Sequence, residues 1–104
     1  MAETIEEITI NYEEEGQLLT KELEKEVLTR GSWATIVFKY SELDKKTSEF
    51  GPPKVSIRRY RKQNGRFQLQ SKFTISSSKQ AHQIVEILER WFPVAEGESV
   101  PEEE

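Results

Sequence analysis

Arginine and lysine side chains are concentrated in one stretch of this sequence, between residues 54 and 72. The stretch contains seven bases and no acid: Lys54, Arg58, Arg59, Arg61, Lys62, Arg66 and Lys72. Guanidinium and ammonium groups at this density contact phosphates, and an aromatic ring among them, here Tyr60, offers a face on which a nucleobase stacks. These residue types therefore indicate a surface that binds nucleic acid.

Acidic residues are segregated at the two ends of the chain. Residues 1–26 carry nine acids and two bases, and five glutamates and no base follow Pro93. The formal net charge of −4 over 104 residues therefore conceals a local positive field. We predict one domain over residues 1–93 and a disordered acidic tail over residues 94–104.

Catalytic chemistry has little support in the sequence. The chain has no cysteine, which excludes a thiolate nucleophile, and His82 is its single histidine. The serines at positions 76–78 precede an apolar helical pattern and are typical of helix caps. We therefore expect no enzymatic activity, no metal, no cofactor and no small-molecule substrate.

Membrane insertion is not predicted either. No apolar run approaches the about 20 residues of a membrane-spanning helix, and the acidic start of the chain lacks the basic segment of a signal peptide. We expect a cytoplasmic protein, nucleoid-associated if its source is bacterial.

Alternating apolar residues predict the strands that position the cations. Ile8, Ile10 and Tyr12 alternate and indicate a strand over Ile5–Tyr12, after which Gly16 marks a turn. The apolar residues of Leu18–Thr29 fit a strand and a helix alike, and the choice is left open on periodicity alone. Further strands are predicted over Trp33–Tyr40, Lys54–Lys62 and Arg66–Ile75, with a polar loop over Asp44–Pro53.

One amphipathic helix closes the predicted domain. Its apolar positions recur three and four residues apart: Ala81, Ile84, Val85, Leu88, Trp91 and Phe92. Ser77 and Gln80 match a capping box at its start, and Pro93 marks its end.

The turn between the two basic strands decides which side chains share a face. A two-residue Asn64-Gly65 loop would divide the apolar residues of the hairpin between its two sides. A three-residue Gln63-Asn64-Gly65 loop, with Gly65 in a left-handed bulge, places Val55 opposite Phe73 and all apolar residues on one side. We therefore predict the three-residue loop.

This register turns the cations and amides of both strands to the water-facing side. If Ile36 and Phe38 face the core, then Trp33, Val37 and Lys39 extend the same surface. Arginine and lysine would contact phosphates, Tyr60 and Trp33 would stack on bases, and the two glutamines would donate hydrogen bonds. The candidate nucleic-acid-binding residues are Arg58, Tyr60, Lys62, Arg66, Gln68, Gln70, Lys72, Trp33 and Lys39.

Two short runs resemble the positive-cofactor-four family of transcriptional coactivators. PPKVSIRRY over Pro52–Tyr60 and KFTIS over Lys72–Ser76, followed by one helix, are similar to that family's Ile-Arg-x-aromatic strand, its basic strand and its C-terminal helix. TKEL over Thr20–Leu23 and the following tryptophan resemble bacterial members and favour a strand over Leu18–Thr29. Phe73 stands where the family has glycine, and Arg61 where some members have a stacking tryptophan.

The resemblance implies an α+β fold, with a curved antiparallel sheet of four to five strands followed by one helix. It also implies a homodimer paired through that helix, and single-stranded DNA bound across the sheet with little sequence preference. Arg58, Tyr60 and Lys72 match the family's arginine, aromatic and lysine positions.

Two other functions fit the same basic strip. The strip would also bind RNA, or an acidic protein partner as part of an interaction module. The sequence alone does not separate these three ligands.

Overall fold

The computed structural model describes residues 2–93, and the acidic tail predicted for residues 94–104 lies outside the described residues. The strands are β1 (Tyr12–Glu14), β2 (Gln17–Thr29), β3 (Trp33–Asp44), β4 (Glu49–Phe50), β5 (Lys54–Gln63) and β6 (Arg66–Ile75). A single α-helix of this part of the chain, α1 (Ser78–Trp91), follows them.

The strands form one curled antiparallel sheet, which confirms the predicted α+β class. The order across the sheet is β1-β2-β3-β5-β6, and β4 pairs with the end of β3. The strand favoured for Leu18–Thr29 is confirmed by β2, and the predicted polar loop after β3 contains the short β4. β6 lies at one end of this order, and at one point along its outer edge the Phe67 N–H donates to the Ala2 carbonyl oxygen at 2.8 Å.

The strand predicted for Ile5–Tyr12 is wrong. Residues Ile5–Glu7 form a 3₁₀ turn, and pairing with β2 begins only at Tyr12. The turn forms because the Glu7 carboxylate accepts hydrogen bonds from the backbone N–H groups of Glu3 and Thr4, at 2.9 and 3.2 Å. Side chains alternate between two sides in an extended but unpaired chain as they do in a strand, so the alternation of apolar residues did not distinguish the two.

The N-terminal segment, residues 2–11, covers one side of the sheet and completes the core. Ile8 and Ile10 are each 4% exposed and belong to the buried cluster. The sheet supplies the rest of this cluster: Ala34, Ile36, Phe38, Tyr40, Tyr60 and Phe67. We call this side of the sheet the core side, and the opposite side, which carries Trp33, Val37 and Lys39, the outer side.

Hydrogen bonds from β2 hold the N-terminal segment in place. The Lys25 ammonium donates to the carbonyl oxygens of Ile5 and Ile8, each at 2.7 Å. The Glu22 carboxylate accepts from the Thr9 hydroxyl at 2.6 Å and from the Ile10 N–H at 3.3 Å. The segment is thus an integral layer of the fold.

The predicted register of the basic hairpin is wrong. Gln63 pairs directly with Arg66, so Asn64 and Gly65 form a two-residue turn with positive φ angles of 52° and 78°. Tyr60 pairs with Leu69 whereas Arg59 pairs with Ser71, so Gln70 has no partner and forms a β-bulge.

The bulge removes the conflict that had argued against the two-residue turn. On the side of the bulge away from the turn, Val55 pairs with Ile75 and Ile57 pairs with Phe73 on the outer side of the sheet. Between the bulge and the turn, Tyr60 and Phe67 point to the core side, where both are buried. The hairpin is therefore apolar on both sides, at different positions along its length.

The C-terminal helix is confirmed, and it follows directly after β6. The Ser77 hydroxyl accepts a hydrogen bond from the Gln80 N–H at 3.1 Å, and the Gln80 side chain accepts one from the Ser76 N–H. No residue of α1 is buried within the described part of the chain, and Trp91 is 66% exposed.

The radius of gyration is 16.0 Å, against about 13 Å for a compact chain of this length, so the molecule is less compact than a typical domain of its size. Over residues 2–93, no helix has the length and apolar surface that crossing a membrane requires.

Candidate nucleic-acid interface

Arg58 and Lys72 are direct cross-strand partners at the centre of the basic hairpin. Both point to the core side, because Arg58 also pairs with Ile36 of β3. Arg58 is half-buried and its Nε donates to the Ser56 hydroxyl at 3.1 Å, which orients the guanidinium, whereas Lys72 is exposed. The pair places two positive charges on neighbouring strands beside the edge of the sheet.

Two clefts open on the core side, between the N-terminal segment and β6, and Arg58 lines both. The larger has a volume of about 650 Å³ and is lined on the sheet by Arg58, Tyr60 and Leu69. The other has a volume of about 530 Å³ and is lined by Arg58 and Lys72. Thr9 of the N-terminal segment lines both clefts. Because they share Arg58 and Thr9, the two clefts adjoin, and we call them together the recess.

The recess is not uniformly positive. Glu3 and Glu7 line the larger cleft. Hydrogen bonds from the backbone N–H groups of Glu3 and Thr4 lower the pKa of the Glu7 carboxyl, which stays ionised at neutral pH. Glu42 lines the other cleft, where its carboxylate is paired with Lys54 at 2.8 Å. An anionic strand would therefore be drawn to Arg58 and Lys72, the cations of the recess that form no salt bridge within residues 2–93.

Tyr60 does not have the exposure that base stacking needs. Its side chain belongs to the core and is 7% exposed. Burial raises the pKa of the Tyr60 phenol, while the nearby Arg58 guanidinium acts in the opposite direction. In the recess the exposed aromatic ring is that of Tyr12, which is 54% exposed and lines the smaller cleft, and Leu69 is exposed in the larger one.

The predicted site residues do not share one surface. The register places Arg58, Tyr60, Lys62 and Lys72 on the core side and Trp33, Lys39, Arg66 and Gln68 on the outer side. Gln70 sits at the bulge, where its side-chain amide donates to the Gln68 carbonyl at 3.2 Å. The prediction of a single water-facing face is wrong for two reasons. The bulge reverses the alternation partway along β6, and the pairing of β5 with β3 places Arg58 on the side of Ile36, opposite Trp33.

Two of the cations are engaged by other side chains. Lys39 forms a salt bridge with Glu24 at 3.3 Å. The Lys62 ammonium lies 5.5 Å from the centroid of the Phe67 ring, over the core. Neither geometry was foreseen, because Glu24 is 15 residues from Lys39 and because Lys62 pairs with Phe67 only in the register of the two-residue turn.

Most cations of the hairpin have no carboxylate partner. Salt bridges within residues 2–93 join Arg30 to Glu6, Lys39 to Glu24 and Lys54 to Glu42. No salt bridge in this part of the chain involves the other six bases of the hairpin: Arg58, Arg59, Arg61, Lys62, Arg66 and Lys72. Their charge is available to an anionic ligand.

Arg59 and Arg61 were not among the predicted contact residues. Their guanidinium carbons lie 4.4 and 5.2 Å from the centroid of the Trp33 ring, on the outer side. Residues at odd positions of β3 and β5 share one side of the sheet, so the pairing of Trp33 with Arg61 could have identified this cluster.

No local signal in the sequence indicated that Thr9 and Asn11 line the smaller cleft.

Residues 2–93 contain no group of three or more His, Cys, Asp and Glu side chains placed to hold a metal ion. Comparison with protein-family models, with curated proteins and with solved structures gave no match.

Proposed function

We propose that this chain binds single-stranded nucleic acid, DNA in the first place, with low sequence specificity and without catalysis. The observation that carries the proposal is the Arg58–Lys72 pair, two cations without carboxylate partners side by side on an open recess. Phosphates are the anions that such a row of cations binds, and the affinity they provide is independent of sequence.

The shape of the recess favours a single strand over a duplex. The N-terminal segment rises from the sheet on one flank of the recess and β6 forms the other. A duplex is a stiff rod with a persistence length of about 50 nm, and the raised segment would hold it off the sheet. A single strand is flexible enough to bend into the recess and reach the cations on the sheet.

Phosphate contacts, more than stacking, account for affinity on the core side. Tyr60 is buried, so the side chains of the recess that bases would meet are the exposed Tyr12 ring and Leu69. Binding at this site should therefore weaken steeply with salt.

The proposal agrees with the resemblance of Pro52–Tyr60 and Lys72–Ser76 to the positive-cofactor-four coactivators. We propose on that ground a coactivator-like role in transcription, carried out in the cytoplasm. The antiparallel sheet followed by one helix is compatible with this family and supports the proposal at the level of fold class.

We propose, further, that two copies pair through α1. Val85, Leu88, Trp91 and Phe92 are exposed in the single chain, and monomeric proteins rarely expose so large an apolar patch. A twofold axis would bring the same stripe of both helices together and bury it. Leu88→Lys should convert a dimer to a monomer in sedimentation equilibrium, whereas Gln83→Lys, an equal change of charge at an exposed polar position of the same helix, should not. A wild-type chain that sediments as a monomer would refute the dimer.

The function is tested by titrating fluorescent oligothymidine, a duplex and an RNA of equal length across a salt series. We expect tightest binding to a single strand and a log–log salt slope of about −0.7 per neutralised phosphate. Equal affinity for duplex and single strand would contradict the proposal, and a preference for RNA would reassign the ligand. No binding to any of the three would leave an acidic protein partner as the ligand to seek.

A further inference from the structure

Two arginines of β5 lie close to the Trp33 ring on the outer side of the sheet. Arg61 is its direct cross-strand partner, and Arg59 is two positions along the same strand. Both guanidinium groups are within the about 6 Å at which a cation is attracted to an aromatic ring. The indole remains 38% exposed, so one part of the ring is open to a ligand.

The cluster has a surplus of positive charge. Arg61 pairs with Gln68 of β6, and Arg66 follows at the end of the hairpin. Within residues 2–93, no salt bridge involves Arg59, Arg61 or Arg66. Arg59 and Arg61 carry like charges close to the same ring, so an anion that approached them would relieve their mutual repulsion.

A nucleotide unit matches this cluster better than a simple anion or an acidic peptide. Its phosphate pairs with a guanidinium, and its base stacks on an indole or on a guanidinium plane. Trp33 with Arg59 and Arg61 offers both kinds of contact within one cluster. A carboxylate peptide would use the charges and leave the ring unoccupied.

We propose that the Trp33–Arg59–Arg61 cluster is a second contact surface for the same single strand that binds at Arg58 and Lys72. This inference rests on the proposed function, and it adds the path that the strand takes. Lys72 on the core side and Gln68 on the outer side are four positions apart on β6, with the bulged Gln70 between them. Because β6 is an edge strand, the nucleic acid crosses that edge at the bulge and contacts both sides of the hairpin.

The emission of Trp33 provides a direct test. Trp33 and Trp91 are the two tryptophans of the chain, so Trp91→Phe leaves Trp33 as the single reporter. Oligothymidines of about 4 and about 16 nucleotides, the range of site sizes for single-strand binding modules, are titrated against it while binding is followed by anisotropy of a label on the DNA. We expect the long oligonucleotide to quench Trp33 and the short one, which fills only the core side, to leave its emission unchanged.

Charge removal provides a second readout. Arg59→Ala with Arg61→Ala should weaken binding of the long oligonucleotide by about tenfold and reduce its salt slope by about 1.4, the value for two phosphates. The short oligonucleotide should bind as before. Lys45→Ala with Lys46→Ala is the matched control, since it removes two exposed cations from the loop before β4.

The outcomes separate this inference from the proposed function. If the anisotropy detects no binding of either oligonucleotide, the proposed function fails and the second surface fails with it. If the long oligonucleotide binds without changing the Trp33 emission, and the arginine pair behaves as the lysine control does, only the second surface is refuted.

Discussion

The Arg58 and Lys72 side chains emerge next to each other from paired positions of β5 and β6, on the side of the sheet that the N-terminal segment also occupies. The candidate interface is therefore built partly from residues far away in sequence. The same segment closes the core through Ile8 and Ile10 and walls the recess through Thr9. Stability and ligand access are linked at this point of the fold.

Removing core volume from the N-terminal segment should destabilise the whole domain. Ile10→Ala should lower the free energy of unfolding by about 2–5 kcal/mol, because Ile10 is buried against the sheet. Chemical denaturation measures the change, and Leu28→Ala, at a side chain 57% exposed, is the control expected to stay within about 0.5 kcal/mol. Equal effects of the two substitutions would show that the segment does not pack as described.

The ammonium of Lys25 should anchor the same segment. Lys25→Met retains the aliphatic stem and removes the donor to the Ile5 and Ile8 carbonyl oxygens. We expect a loss of about 1–3 kcal/mol, the cost of leaving part-buried acceptors unpaired, with faster amide exchange over residues 5–10. Lys79→Met, at an exposed position of α1, should change neither quantity. Unaltered exchange in the Lys25 variant would remove the anchor from the account.

Gly65 should tolerate a side chain at a small cost in stability. A Cβ at this position would meet open space, so Gly65→Ala costs only the strain of a φ angle of +78°, about 1 kcal/mol of unfolding free energy. Gly51→Ala is the control, because its φ is not positive and its nearest neighbour, the Glu42 carbonyl oxygen, would lie at an ordinary 3.8 Å. The three-residue loop also places Gly65 in the left-handed region, so a cross-strand amide contact between Gln63 and Arg66 in solution NMR is the measurement that separates the two loops.

Tyr60 should impose an alkaline limit on stability. Its pKa is raised above the ordinary value of 10.0 by burial, so the folded chain holds the phenolic proton more tightly than the unfolded chain. The stability contributed by that proton is fully present below pH about 10 and is lost as the pH rises through the raised pKa. The free energy of unfolding, measured by chemical denaturation at a series of pH values, should fall less steeply with rising pH for Tyr60→Phe. This substitution leaves the Lys54–Glu42 salt bridge in place. Identical slopes for both proteins would show that the phenol is not buried.

Much of the fold was predictable because its patterns are strong. The β-branched and aromatic run of β3 and the helical spacing of α1 specify their own structures. The register of the basic hairpin was not predictable, because no residue type marks the bulge at Gln70. One added residue moves every later side chain of the strand to the opposite side of the sheet. The N-terminal segment failed for a related reason, since alternation at Ile8 and Ile10 reports an extended chain and not its hydrogen-bond partners.

The candidate site was predicted in composition but not in arrangement. The density of cations between residues 54 and 72 identified the hairpin, and the pairing of Arg58 with Lys72 keeps its centre together. Trp33 was expected beside Arg58 and instead lies with Arg59 and Arg61. A sequence read strand by strand does not fix which side of β5 meets which side of β3.

The salt dependence of single-strand binding by Arg58→Ala with Lys72→Ala tests the central claim most directly. We predict that the log–log salt slope of the double variant is shallower than that of the wild type by about 1.4, which corresponds to two lost phosphate contacts. Lys45→Ala with Lys46→Ala should retain the wild-type slope, since it removes the same charge elsewhere on the surface. A double variant whose slope and affinity match those of this control would contradict a phosphate-binding site at the Arg58–Lys72 pair.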